Sequence, residues 1–195
     1  MKTTWHTPVL WWVYTSVSVT ALVGCTYLAV QQNYRQNMND PQIQVAEDGA
    51  AKLSAGGVPA DLVNRNAQLV DIATSLDTWV AVYDQSGMPL EASAQLNNAP
   101  PQPPKGLFDT TTWTKLKNFT APTGKETRVT WQPQNNLRQA IVLVQAPNGY
   151  WVVSGRSMRL TEERILQLSK NMFIGWLVTE VALLVASFIG WRLLR

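Results

Sequence analysis

Cysteine and histidine are almost missing from this chain, with one of each among 195 residues. Cys25 lies inside an apolar run and His6 lies in the N-terminal tail. The body of the chain therefore holds neither a disulfide framework nor a thiolate metal site. A Ser-His-Asp or Cys-His arrangement cannot be assembled there either. Phosphate-binding glycine loops are missing too: Gly124-Lys125-Glu126 lacks the upstream glycine and the following hydroxyl such a loop needs. Carboxylate pairs such as Glu47 with Asp48, or Asp71 with Asp77, read as solvated surface and not as acid/base machinery. The expectation is a non-enzyme with no catalytic residue, no metal and no cofactor.

Charge is missing from two stretches, and there the absence is informative. Val9 to Val30 has none, and Met172 to Leu194 has only Glu180 and, in its last turn, Arg192. Each is long enough, at 1.5 Å per residue, to cross a hydrocarbon core of roughly 30 Å. Between them lie 13 basic and 12 acidic side chains, so the middle of the chain is nearly neutral. The pI of about 9.1 owes much to Lys2, Arg192 and Arg195 in the tails and gives no reason to expect nucleic acid as a partner. Short basic tails without acids fit the cytoplasmic side, whereas a long loop translocates largely regardless of its charge. The expected organisation is a cytoplasmic tail over 1–8, a transmembrane helix over 9–30, one extracytoplasmic domain over 31–171 and a second transmembrane helix over 172–194, both termini being inside the cell.

Leu22-Val23-Gly24-Cys25 also resembles a lipobox, which would make Cys25 a lipidation site. The sequence after it stays apolar, which favours an uncleaved helix in which Cys25 is a small packed residue.

Within the domain, Asp40-Pro41 reads as a cap followed by proline at the first helical position. Ile43, Ala46, Ala50 and Leu53 share one face of that helix, and Gly56-Gly57 stops it. A second helical piece is expected from Pro59 through Leu76, with Leu62, Leu69, Val70 and Ala73 buried. Trp79 to Tyr83 then reads as a central strand, turned by Asp84 to Gly87 into a partner near Pro89 to Ser93. Four prolines between Asn97 and Gly106 indicate an extended loop, and Phe108 to Phe119 a short helix or irregular cover. Thr127 to Gln132, Leu137 to Gln145 and Tyr150 to Ser154 read as three more strands, the last two joined by Asn148-Gly149, a hairpin dipeptide. From Ser157 a helical period runs through Met158, Ile165, Leu168 and Met172 without glycine or proline before the membrane. A helix without a hinge can carry a displacement of the domain.

This order of parts resembles the extracytoplasmic PAS-like sensor domains, also called single Cache or PDC domains, of bacterial receptors and sensor kinases. Val80 to Gly87, Arg128 to Pro133 and Gly155-Arg156-Ser157 carry the likeness, which covers about residues 40 to 170. It implies an α+β fold, a five-stranded antiparallel sheet with flanking helices, and a small ligand, often an anion, held between the sheet and its cover loops. The departure is that nothing follows the second span, so a signal is expected to need a partner protein.

Two sets of candidate residues follow. Arg128 and Arg156, with Trp131, Tyr83 and Trp151, combine cations and aromatics suited to a carboxylate; otherwise the arginines are solvated or paired with Asp84, Glu126 or Glu162. Glu180 is costly inside a bilayer unless protonated or paired. Ser16, Thr20 and Gly24 form a small-residue stripe on the first span, and Gly175 and Thr179 begin one on the second. An antiparallel arrangement is expected to bring Thr20 and Gly24 level with Glu180. Glu180 then joins the helices or docks a polar group of a membrane protein partner or second copy. The rival to a sensor is a structural accessory subunit with no ligand. A deep polar pocket at the sheet would favour the sensor, and a filled sheet face the subunit.

Overall fold

The computed structural model describes residues 6–64, 67–109 and 126–193. The chain falls into two compact units, one formed by Met1–Arg35 with Thr161–Arg195 and the other by Gln36–Leu160.

The first unit is a pair of helices, α1 (His6–Asn37) and α3 (Arg159–Leu193), each of which also reaches a little way into the second unit. Both are long and apolar enough to cross a membrane. Their outward positions are apolar: Leu10, Leu22 and Leu28 on α1 and Phe173, Val178 and Leu184 on α3 are all more than half exposed. Helix α1 continues to Asn37, beyond its apolar stretch.

The second unit is α+β. Helix α2 (Asp40–Ser54) follows Asn39, one residue before the expected cap Asp40; the Asn39 side chain makes no capping bond to the helix, and Pro41 stands in the first turn, where a missing N–H costs nothing. At its other end Gly56 adopts φ +95° and the amides of Gly56 and Gly57 bond back to the carbonyls of Leu53 and Lys52 at 3.2 and 3.0 Å. This glycine stop satisfies carbonyls that the helix leaves open. The stretch expected to be a second helix is not one. Pro59–Leu62 makes a single 3-10 turn, and Val70–Asp71 is a short strand, β1, pairing in parallel with β4 (Ala94–Gln95). Asp71 turns the chain after β1, its carboxylate accepting from the Ala73 amide at 2.9 Å.

The main sheet has five strands: β2 (Trp79–Tyr83), β3 (Pro89–Ala92), β5 (Glu126–Gln134), β6 (Leu137–Gln145) and β7 (Trp151–Ser157). Their order is β3-β2-β7-β6-β5, with every neighbouring pair antiparallel. The expected strands therefore form, and the expected helix after β7 begins at Arg159. The proline-rich stretch is extended as expected, ending in a 3-10 turn at Lys105–Phe108. The expected cover from Phe108 to Phe119 lies largely outside the described residues.

Alternation puts two cores on the two sides of the sheet. One contains Val82, Val142, Val144 and Val152 under Ala46, Ala50 and Leu53 of α2. Gly49 lets α2 approach, since a Cβ there would stand 3.0 Å from Val152. The Asn148 side chain, in the β6–β7 turn, donates to the Leu53 carbonyl at 3.1 Å and fastens that turn to the end of α2. The other core is aromatic, containing Trp79, Tyr83, Phe108, Trp131 and Trp151 with Ile72, Ile141 and Leu143.

Candidate functional site

The five residues expected to hold a ligand do not converge. Residues directly opposite one another in an antiparallel pair share a face. Arg128 stands opposite Val142 on β6, and Arg156 opposite Ala140. Both arginines therefore lie on the face that α2 covers. Tyr83, Trp131 and Trp151 lie on the other, within the aromatic core. The residues of the expected cation-aromatic grouping are therefore divided between the two faces, and the reason is parity: Arg128 and Trp131 are three residues apart on one strand, Arg156 and Trp151 five apart, and an odd separation puts side chains on opposite faces.

Each arginine also has an occupant. Arg128 pairs with Glu126, its Nε 3.1 Å from Oε1 and an Nη closer still. Glu126 is buried, and its second oxygen has no partner among the described residues. Arg156 donates through Nε to the carbonyl of Leu76 at 3.0 Å, tying β7 to the segment before β2.

The aromatic face is filled by the protein's own side chains. Tyr83 and Trp79 are fully buried, and Phe108 packs on Tyr83 and Trp151 with ring centroids 5.0 and 6.0 Å apart. The Tyr83 hydroxyl donates to the Pro101 carbonyl at 2.6 Å, holding the proline-rich loop against the sheet. Burial raises the Tyr83 pKa strongly, so the phenol remains a neutral donor. Sequence reasoning missed a buried polar chain here. Trp79 Nε1 donates to Gln139 Oε1 at 3.2 Å, and Gln139 Nε2 donates to the Ile72 carbonyl at 3.0 Å. Its signal was a glutamine at an inward position of an otherwise apolar strand. Gly155 belongs to the same cluster, because a Cβ there would meet the Trp79 ring at 2.3 Å.

The β2–β3 turn is organised by Asp84. Its carboxylate accepts from the Ser86 hydroxyl at 2.7 Å and from the Ser86 and Met88 amides at 2.8 Å. These bonds, the Ser86 hydroxyl foremost, hold its pKa below the ordinary value of 3.8.

In the helical unit Glu180 is the outstanding residue. It is only 9 % exposed, in a seam of half-buried side chains that includes Val19 and Val23 of α1 and Met172 and Trp176 of α3. One carboxylate oxygen accepts from the Ser16 hydroxyl and the other has no partner among the described residues. One turn away Trp176 Nε1 donates to Thr20 Oγ1 at 2.9 Å. Glu180 thus joins the helices, but its partner is Ser16, one turn from the expected Thr20 and two from the expected Gly24. The small residues are not used for close approach: a Cβ on Gly24 or Gly175 would meet nothing within 4 Å. Thr179 donates back to the Gly175 carbonyl of its own helix at 2.8 Å. Cys25 is exposed and not packed. Beside Trp176 an open groove of about 260 Å³ is lined by Thr20, Val23, Gly24 and Tyr27 on α1 and by Met172 and Phe173 on α3.

Among the described residues no three or more histidine, cysteine or acidic side chains gather as metal ligands. No family model, curated protein or solved structure matches the chain.

Proposed function

We propose that this chain is a two-span, non-enzymatic membrane protein whose PAS-like domain, held outside the cytoplasm, binds a partner protein and relays that binding through α3. Strand order supports the PAS-like reading, since the first hairpin lies beside the last strand, the arrangement of such sheets. The observation that carries the relay is the continuity of α3. It starts two residues after β7 ends and runs unbroken from Arg159 to Leu193 through the apolar segment, with no proline along it to break the helix. A protein partner is preferred to a small molecule because both arginines are occupied and the aromatic face is filled.

The same filled face favours a second reading, a structural accessory subunit that transmits nothing. Photo-crosslinking separates the two from a free-standing anchor. A photoreactive residue in place of Val181, exposed on α3, should capture one discrete protein in native membranes. Breaking α3 with Gly-Gly in place of Gln167-Leu168 should then change that protein's activity under the relay and leave it unchanged under the structural reading. Capture of lipid alone would overturn both. Topology is read separately. With Cys25→Ser, a cysteine at exposed Gly106 should react with a membrane-impermeant maleimide in intact cells. Labelling only after lysis would invert the assignment.

A further inference from the structure

We propose that the α1/α3 pair has two registers one helical turn apart, and that Glu180 passes from the Ser16 hydroxyl in one to the Thr20 hydroxyl in the other. The inference rests on the membrane placement proposed above and names how the relay would be set.

Three independent observations point to the second register. The first is the hydroxyl ladder itself. Ser16 and Thr20 are one turn apart on α1, and Trp176 and Glu180 one turn apart on α3, each now bonded to its opposite number. A slide of four residues, about 6 Å, puts Glu180 opposite Thr20 and Trp176 opposite Gly24.

The second is space. The indole of Trp176 would arrive where the groove already lies, beside a glycine whose missing side chain leaves at least 4 Å open. A larger residue at position 24 would fill the volume the indole needs.

The third is the fit of apolar stretches. With Ser16 beside Glu180, Lys170 is level with Thr26, inside the apolar run of α1. The two apolar runs then overlap over about 16 residues, or roughly 24 Å. After the slide Lys170 is level with Val30, where that run ends, and Arg192 with Pro8. The overlap grows to about 20 residues, or roughly 30 Å, the thickness of an ordinary hydrocarbon core. The observed register suits a thin bilayer and the shifted one a bilayer of ordinary thickness. Because Glu180 finds a hydroxyl at either stop, and Ser18 between them is exposed and bonded to the Tyr14 carbonyl of its own helix, the pair has two preferred positions and not a continuous range.

The experiment is disulfide trapping in the full-length chain with Cys25→Ser. Val23→Cys with Met172→Cys reports the observed register, and Tyr27→Cys with Met172→Cys the shifted one. In vesicles of 14-carbon phosphatidylcholine the first pair should oxidise faster. In dioleoyl vesicles the ratio should move toward the second pair by about fivefold. Thr20→Val should abolish that movement and Ser16→Ala should enlarge it. Gly24→Leu should block the shifted register while the observed pair still oxidises, which shows that the protein remains folded. A ratio that is the same in both lipids, or unchanged by Thr20→Val, overturns the proposal. Maleimide topology is scored separately, so an inverted domain and a single register are distinguishable results.

Discussion

Replacing Gly155 by alanine is the sharpest test of how the domain is held together. The added methyl would lie 2.3 Å from the Trp79 ring, whereas carbon atoms rest about 3.5 to 4.0 Å apart. The indole must retreat by more than 1 Å, and at 1 % exposure it has little free space to enter. Overpacking of this kind costs about 2 kcal/mol. Moving the ring also stretches its 3.2 Å bond to Gln139, and a buried hydrogen bond lost adds about 1 kcal/mol. The sum of about 3 kcal/mol corresponds to a fall of about 10 °C in Tm for a domain of this size. Near-ultraviolet circular dichroism of the detergent-solubilised chain during heating reads the change directly. In a Trp79→Leu background, which removes the ring, the same substitution should cost less than about 1 kcal/mol. The reasoning is refuted if Gly155→Ala is within about 0.5 kcal/mol of the parent, or if its cost is the same with and without the indole.

Three further outcomes are expected. Tyr83→Phe removes the 2.6 Å bond to Pro101 and should cost about 1 to 2 kcal/mol in chemical denaturation, while amide exchange quickens in the proline-rich loop. Arg128→Met leaves buried Glu126 without its cation; since the guanidinium is a third exposed, the loss should be about 1 to 2 kcal/mol, and Glu126→Gln in the same chain should recover at least half of it. Asp84 has a depressed pKa in the folded state, so its contribution is complete above the unfolded value near 3.9 and is lost as pH falls through the lower folded value. Asp84→Asn should flatten the acid limb of the stability curve below about pH 4, and carbon-detected NMR should show the Asp84 carboxyl titrating below the ordinary aspartate range.

Most strands were legible in the sequence because their signals were local. Leu137–Gln145 and Trp79–Tyr83 are apolar runs bounded by turn residues, and the structure keeps those bounds. Leu62, Leu69, Val70 and Ala73 misled because their helical spacing is accidental. Val70 pairs instead with Ala94, and that long-range contact leaves no local trace. The expected ligand residues are divided for a different reason. Strand parity separates Arg128 from Trp131 and Arg156 from Trp151, and closeness along the chain does not bring side chains together across a sheet. Glu180 was recognisable as a joining residue, since a carboxylate in an apolar run demands a partner. Ser16 could not be chosen over Thr20, because both lie on the same helical face one turn apart and only the register decides between them.

The link from Asn148 to the end of α2 has a practical side for anyone labelling this protein. Asn148-Gly149 has the composition of an insertion-tolerant hairpin tip, yet an epitope placed there would unfasten a helix from 95 residues away in the chain. Gly106, exposed and with open space around its Cα, is where a reporter can be carried without disturbing either core.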